Sequence, residues 1–426
     1  MNRLTIQLRQ HTPLIHFQHD QAGATLRATE VKPKLDKFIL TNLGNGNFNK
    51  GVEEAKKNKW LISNTEALDF KLRFTVTEKP DISEINKIKV DRKTGLEKTK
   101  TRKEDGREIK DLNSYPLYFG NLDKDIEDNS EYRRFIFLKN PFQMEIFTFQ
   151  SSLIKEIREK VNFALFFAQN NFGSRQSKGF GSFYIEKGDA NYNSIESNYR
   201  FTIDMSKHDN WHQLFDTIDI FYKTLRSGIN LKNRNRETIF YFKSLLFLYF
   251  KNKNIQWDKK SIKEHFLRSD LEKQTRDHNN PDILEFQSKE KKLVKDLLGL
   301  STNESWRSYS KNIEKANDNI DRFKSPITFK PVKTSEKRFT VYIFLNTIDP
   351  NFLDQQFEIR DRNKTFHLST PALFYVNDLF EWILNKENFD ITTHVEARFH
   401  AHTQFNTLRN IYLQLSDNLN EKNNDK

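Results

Sequence analysis

The run Phe172-Gly173-Ser174-Arg175-Gln176-Ser177-Lys178-Gly179-Phe180-Gly181-Ser182 constrains this chain more than any other stretch. It puts three of 13 glycines within nine residues, adds two cations, and lies between a helical pattern and a strand pattern. Clustered glycines have two physical uses. They supply positive φ for a tight turn, or they let something approach the main chain closely, which beside Arg175 and Lys178 suits a polyanion. The run fits neither common nucleotide motif. Five residues, not four, separate Gly173 from Gly179, and the lysine precedes the second glycine. A dinucleotide fingerprint would follow a strand and open a helix, whereas this run follows a helix and opens a strand.

The flanking patterns give the run its setting. Leu4, Ile6 and Leu8 alternate with polar residues as a half-buried strand does, and Thr12-Pro13 makes a turn. Residues 23–40 read as helical through Leu26, Leu35, Phe38 and Ile39, with Pro33 starting a second helical piece. Residues 68–76 form the cleanest strand pattern, and Phe142, Met144 and Ile146 another. Leu153 to Ala168 recurs at helical spacing, and Phe183 and Ile185 end the series. Strand, helix, strand, strand, helix, loop, strand is the ferredoxin-like (RRM-like) βαββαβ arrangement.

The expected fold class is therefore α+β. Residues 1–205 form the ferredoxin-like domain, with a charge-rich insertion at about 78–114 that reads as an exposed hairpin or a mobile insertion. Residues 206–320 read as mainly helical, with helices over 211–225, 238–250 and 259–267. Residues 321–426 read as a second sheet-based domain, a degenerate copy of the first. An extended segment there leads into a buried strand at 339–345, a helix at 373–384 and a late strand at 395–402.

Lys and Arg number 70 against 58 Asp and Glu, a net charge of +12, which favours an anionic partner, nucleic acid above all. The absence of cysteine excludes disulfides and cysteine zinc sites. The longest apolar run, Ile239 to Phe250, is interrupted by Lys243 and Ser244 and is too short to span a bilayer. A cytoplasmic protein with no membrane partner is expected.

Three stretches carry a family resemblance. One is the Thr12-Pro13 turn with Gly23-Ala24-Thr25-Leu26-Arg27 and Glu30-Val31-Lys32-Pro33-Lys34-Leu35. The second is the glycine run. The third is Lys324-Ser325-Pro326-Ile327-Thr328-Phe329-Lys330-Pro331. Together they resemble the RAMP superfamily of type III CRISPR effector complexes, most closely the two-RAMP-unit subunit of type III-B (Cmr) complexes. Ala24 departs from the glycine usual in that family's first helix. The resemblance implies an RNA-binding structural subunit that works beside other subunits, near the 3′ end of the guide RNA, and helps engage target RNA. It implies RNA contacts from Arg27, Lys32, Lys34, Gly173, Arg175, Lys178, Gly179, Phe180, Gly181, Lys324 and Lys330, with no metal or cofactor. Such contacts fix register, and base pairing supplies specificity.

Two other classes stay open. His11, His16, His19 and Asp20 lie close together, as do His394, His400 and His402. A histidine pair, with His16 and His19 the candidates, could cleave RNA as a metal-independent endoribonuclease, and three histidines could bind a metal. A protein-interaction scaffold with an incidental basic excess is the third class.

Overall fold

The computed structural model describes the chain apart from residues 1, 16–24, 84–85, 89–98, 105–106, 113, 117–134, 207–210, 234, 236, 270–271, 273–289, 307–308, 310 and 425–426. It divides into two compact units. The first comprises residues 1–197, 202–215 and 329–342, and the second residues 198–201, 216–328 and 343–426.

The first unit is built on β1 (Asn2–Gln10), α1 (Ala28–Leu43), α2 (Phe48–Lys57), β2 (Lys71–Thr75), β3 (Phe142–Thr148), α3 (Ser151–Lys160), α4 (Phe163–Gln169) and β4 (Phe183–Ile185). The four strands form one antiparallel sheet in the order β4-β1-β3-β2. Its register sets Leu8 against Ile185, Ile6 against Met144, and Leu72 against Ile146. Alternation along β1 buries Ile6 and Leu8, the expected consequence of a period of two. Helix α3 packs on β1 and β3, α4 on β4, and α1 on β2. Away from the apolar pattern, Glu145 of β3 is buried between two cations of the neighbouring strands. Arg3 lies 2.9 Å from it, and the Arg73 Nε donates at 2.7 Å.

Pro33 does not divide α1. The helix runs through it, because the buried stripe Val31, Leu35, Ile39 and Leu40 continues on both sides and outweighs one missing N–H. The expected helix from Leu153 to Ala168 is two helices. They break at Val161-Asn162, where the Asn162 side chain accepts from the Leu165 N–H at 2.9 Å. Between β2 and β3 the charged insertion holds three antiparallel strand pairs, 81–83 with 135–137, 86–88 with 114–116, and 99–104 with 107–112, so a hairpin is present. A second sheet orders β5 (Tyr199–Asp204), β7 (Arg338–Leu345) and β6 (Ile327–Ser335), the last two joined as a hairpin.

Residues 206–320, expected as mainly helical, mix helices and strands. Helices at Trp211–Arg226, Leu245–Asn252 and Asp258–Phe266 alternate with strands. Thr238–Phe242, expected as helix, pairs with Ile229–Lys232 and buries Phe240 and Phe242 on one face. A run of β-branched and aromatic residues favours that pleated surface. The helix begins only after Ser244, whose hydroxyl accepts from the Phe247 N–H at 3.3 Å. Strands 303–306, 311–316, 356–361 and 364–369 form an antiparallel sheet in chain order, so it does not repeat the order β4-β1-β3-β2. Beneath it Lys315, 1% exposed, bonds to Asp296 and to Glu304 (2.7 Å). Burial alone would raise the Glu304 carboxyl, but Lys315 and Lys295 hold it well below its usual range. Residues 395–402, expected as a strand, form a 3₁₀ turn at Ala397–Phe399 between short and long helical segments. Among the described residues no helix is long and apolar enough to cross a membrane.

Candidate nucleic-acid interface

Thr12-Pro13, Glu30 and Lys34 of the first stretch, and the last three residues of the third, meet the second stretch, the glycine loop. Four loop residues have left-handed φ: Gly173 (77°), Arg175 (57°), Gly179 (88°) and Gly181 (62°). What approaches this main chain is the protein's own backbone. A methyl group on Gly181 would overlap the Phe172 carbonyl oxygen, and one on Gly173 the Ile15 carbonyl oxygen.

Chain from both sides of the loop bonds several of its polar groups. Thr12 Oγ1 donates to the Gly179 carbonyl at 2.7 Å and accepts from the Ser182 N–H at 2.9 Å. The Gly181 N–H donates to the Pro13 carbonyl (2.8 Å), and the Ser174 N–H to that of Ile15 (2.7 Å). From α1, the Glu30 carboxylate accepts the Gly173 N–H. Lys34 Nζ donates to the Asn171 carbonyl (2.9 Å) and to Gln176 Oε1 (2.8 Å). From β6, Lys330 Nζ donates to the Asn170 carbonyl (2.9 Å) and the Phe183 carbonyl (2.7 Å). Ser182 Oγ donates to the Pro331 carbonyl at 2.7 Å.

This geometry sorts the expected contact residues. Phe180 is 1% exposed and stacks on Phe215 with ring centroids 3.6 Å apart, so it is a core residue with no face for a base. Lys330 is fully buried, and burial, reinforced by Lys34, lowers its pKa well below the ordinary lysine value. Its donors serve the chain. The N–H groups of Gly173, Gly179 and Gly181 have internal acceptors. Lys32 binds Asp36 (2.7 Å) and the Leu68 carbonyl (2.9 Å). Arg27 precedes α1, and its carbonyl accepts the first helical N–H bonds. Lys324 belongs to the second unit, where it is exposed. Arg175 remains as the exposed cation of the loop, with half-buried Lys178 at the end of the short 3₁₀ turn Gln176–Lys178.

His16, His19 and Asp20 lie outside the described residues. His11 is 5% exposed, and its Nδ1 accepts from the Lys333 N–H at 3.1 Å. Burial, then the positive charges of Lys330, Arg9, Lys333 and Lys187, lowers its pKa to about 3, so it is neutral at pH 7. His394 bonds the Lys243 carbonyl, His400 the Val395 carbonyl, and His402 accepts from the Gln404 N–H. Each packs on a different ring: Phe242, Phe405 and Phe240 respectively. Among the described residues no three groups are gathered to hold a metal.

Sequence reading missed two clefts beside His11. One, of about 390 Å³, is lined by Arg9, Gln10, His11, Lys139 and Lys333 among others. The other, of about 230 Å³, shares Arg9, His11 and Lys333 with it and adds Lys187 and three tyrosines. Arg9 and Lys333 are 324 positions apart, and no spacing signal joins them.

The Cmr1 N-terminal domain model matches residues 1–229 and the Cmr1 C-terminal domain model residues 241–410, nearly the whole chain, as a subunit of type III-B CRISPR effector complexes would. The chain belongs to the Cmr1 family. No individual curated protein matches it.

Gly181→Ala should destabilise the chain by about 2–5 kcal/mol, from left-handed φ and overlap with Phe172; a urea melt within 0.5 kcal/mol of wild type, as for an ordinary surface change, would contradict the loop geometry. His11 should make stability depend on pH. An unfolded histidine titrates near 6.5, so the stabilisation is complete above that pH and is lost as pH falls toward 3. The slope is at most about 1.4 kcal/mol per pH unit. His11→Gln should remove that component from urea midpoints measured between pH 7 and pH 4, and identical pH profiles for the two proteins would refute it.

Proposed function

We propose that this Cmr1-family chain is an RNA-binding, non-catalytic subunit of its complex, cytoplasmic and active in antiviral defence. Its first unit is read as a ferredoxin-like RAMP fold that holds the guide RNA 3′ region and target RNA by their phosphates. The strand order β4-β1-β3-β2, reached through the chain order βαββαβ, supports that fold. The observation that carries the RNA reading is that Thr12, Pro13, Glu30 and Lys34 of the first stretch and Phe329-Lys330-Pro331 of the third are bonded to the glycine loop and its feet, which present Arg175 and Lys178. A loop tied to its own chain at Gly173, Ser174, Gly179 and Gly181 is held in shape before RNA arrives, which lowers the ordering cost of binding.

The described histidines favour binding over cleavage. The basic nitrogen of neutral His11 already accepts the Lys333 N–H, and the C-terminal three are packed on aromatic rings. A general base must reach the proton it removes.

Arg175→Glu combined with Lys178→Glu should weaken single-stranded RNA binding at least tenfold near 0.1 M salt. It should also reduce the magnitude of the log K against log salt slope by about 1.4, two phosphates at about 0.7 each. The thermal midpoint should not move. Unchanged affinity and slope would remove the loop from the interface.

A further inference from the structure

The smaller cleft beside His11 differs in character from the glycine loop. Tyr184, Tyr192 and Tyr342 line it, with Arg9, Lys187 and Lys333 as its cations and Glu186 as its carboxylate. Three positive charges against one negative make it an anion site, and Arg9 already pairs with Glu186. The aromatic wall is fixed. The Tyr184 hydroxyl donates to the Asn193 carbonyl at 2.6 Å, and Tyr192 stands edge-on to it at 5.9 Å. Arg9 is also held by a bond to the Lys139 carbonyl at 3.2 Å.

We propose that this recess is a single-nucleotide pocket, taking a base against Tyr192 and Tyr342 and its phosphate against Lys187, Lys333 and Arg9. Three further observations bear on it. At about 230 Å³ it lies below the usual 300–1,000 Å³ of a drug-sized pocket, which suits one base and not a folded oligonucleotide. Aromatic faces accept any base by stacking, so the pocket needs no sequence. The wider cleft shares Arg9, His11 and Lys333 and adds Lys139, giving the neighbouring phosphates a basic path. His11 contributes at the shared wall. Its Nδ1 accepts the Lys333 N–H, so the neutral ring carries its proton on Nε2 as a donor. The nucleotide has two possible sources, one extruded from bound RNA or one free in solution. The RNA source rests on the reading proposed above.

The full chain is irradiated with oligouridine carrying single 4-thiouridines, and separately titrated with uridine 5′-monophosphate. If the pocket takes an RNA nucleotide, crosslinks map to the peptides of Tyr192 or Tyr342. Tyr192→Ala then raises the RNA Kd roughly tenfold, within the range of one lost stacking contact, and Tyr192→Phe restores it. If the source is free nucleotide, the monophosphate binds alone, is lost in Tyr192→Ala, and inorganic phosphate does not replace it. RNA binding that depends on Arg175 and Lys178, with no recess crosslink, no effect of Tyr192→Ala and no monophosphate binding, overturns the pocket and leaves the RNA reading intact. Absence of binding by both probes overturns both.

Discussion

The amine of Lys330 staples the two feet of the glycine loop. It bonds the carbonyl just before the loop, at Asn170, and the one just after it, at Phe183. The Phe183 carbonyl would otherwise be a buried acceptor at the start of β4, and leaving such a group unmade costs about 1–3 kcal/mol; the Asn170 carbonyl, at the end of α4, is half-buried. The lysine comes from β6, 147 positions after Phe183. The loop's shape therefore depends on a distant strand. With both feet fixed, Thr12, Glu30 and Lys34 can complete the loop's hydrogen bonds without choosing among conformations.

This arrangement gives the glycines a structural purpose and assigns ligand contact elsewhere. Positive φ and close main-chain approach are both present, but the approaching carbonyls are those of Phe172 and Ile15. A loop tied to its own chain at its three glycines is a platform for the cations on it. A phosphate bound through the Gly173, Gly179 or Gly181 N–H would have to displace an acceptor of the chain itself. In the proposed account, charge from Arg175 and Lys178 positions the RNA backbone, which fixes register and leaves sequence to base pairing.

Much of the first unit was legible because its strands have one wet face. The alternation in β1, β2 and β3 follows directly from that. Two later misreadings have physical causes. Ile239 to Phe250 is apolar almost throughout, so its period does not separate strand from helix, and only Ser244 as a cap marks the change. Residues 395–402 alternate like a strand, but the Asp390 carboxylate, accepting from the Thr392 N–H at 2.6 Å, starts a helical turn just before them. The fates of Phe180 and Lys330 were not legible either. An aromatic and a lysine in a basic glycine-rich setting look alike whether they face a ligand or the core. Their burial follows from Phe215 in one case and from two carbonyls in the other.

The central claim is that this chain holds RNA through phosphate contacts without cutting it. The most direct test is the affinity of the purified chain for labelled single-stranded RNA across a salt series in EDTA, with the RNA recovered and sized afterwards. The account predicts that log K falls linearly with log salt, with a slope corresponding to several phosphates at about 0.7 each, and that the RNA is recovered intact. Affinity indifferent to salt, or RNA recovered as fragments, would contradict it.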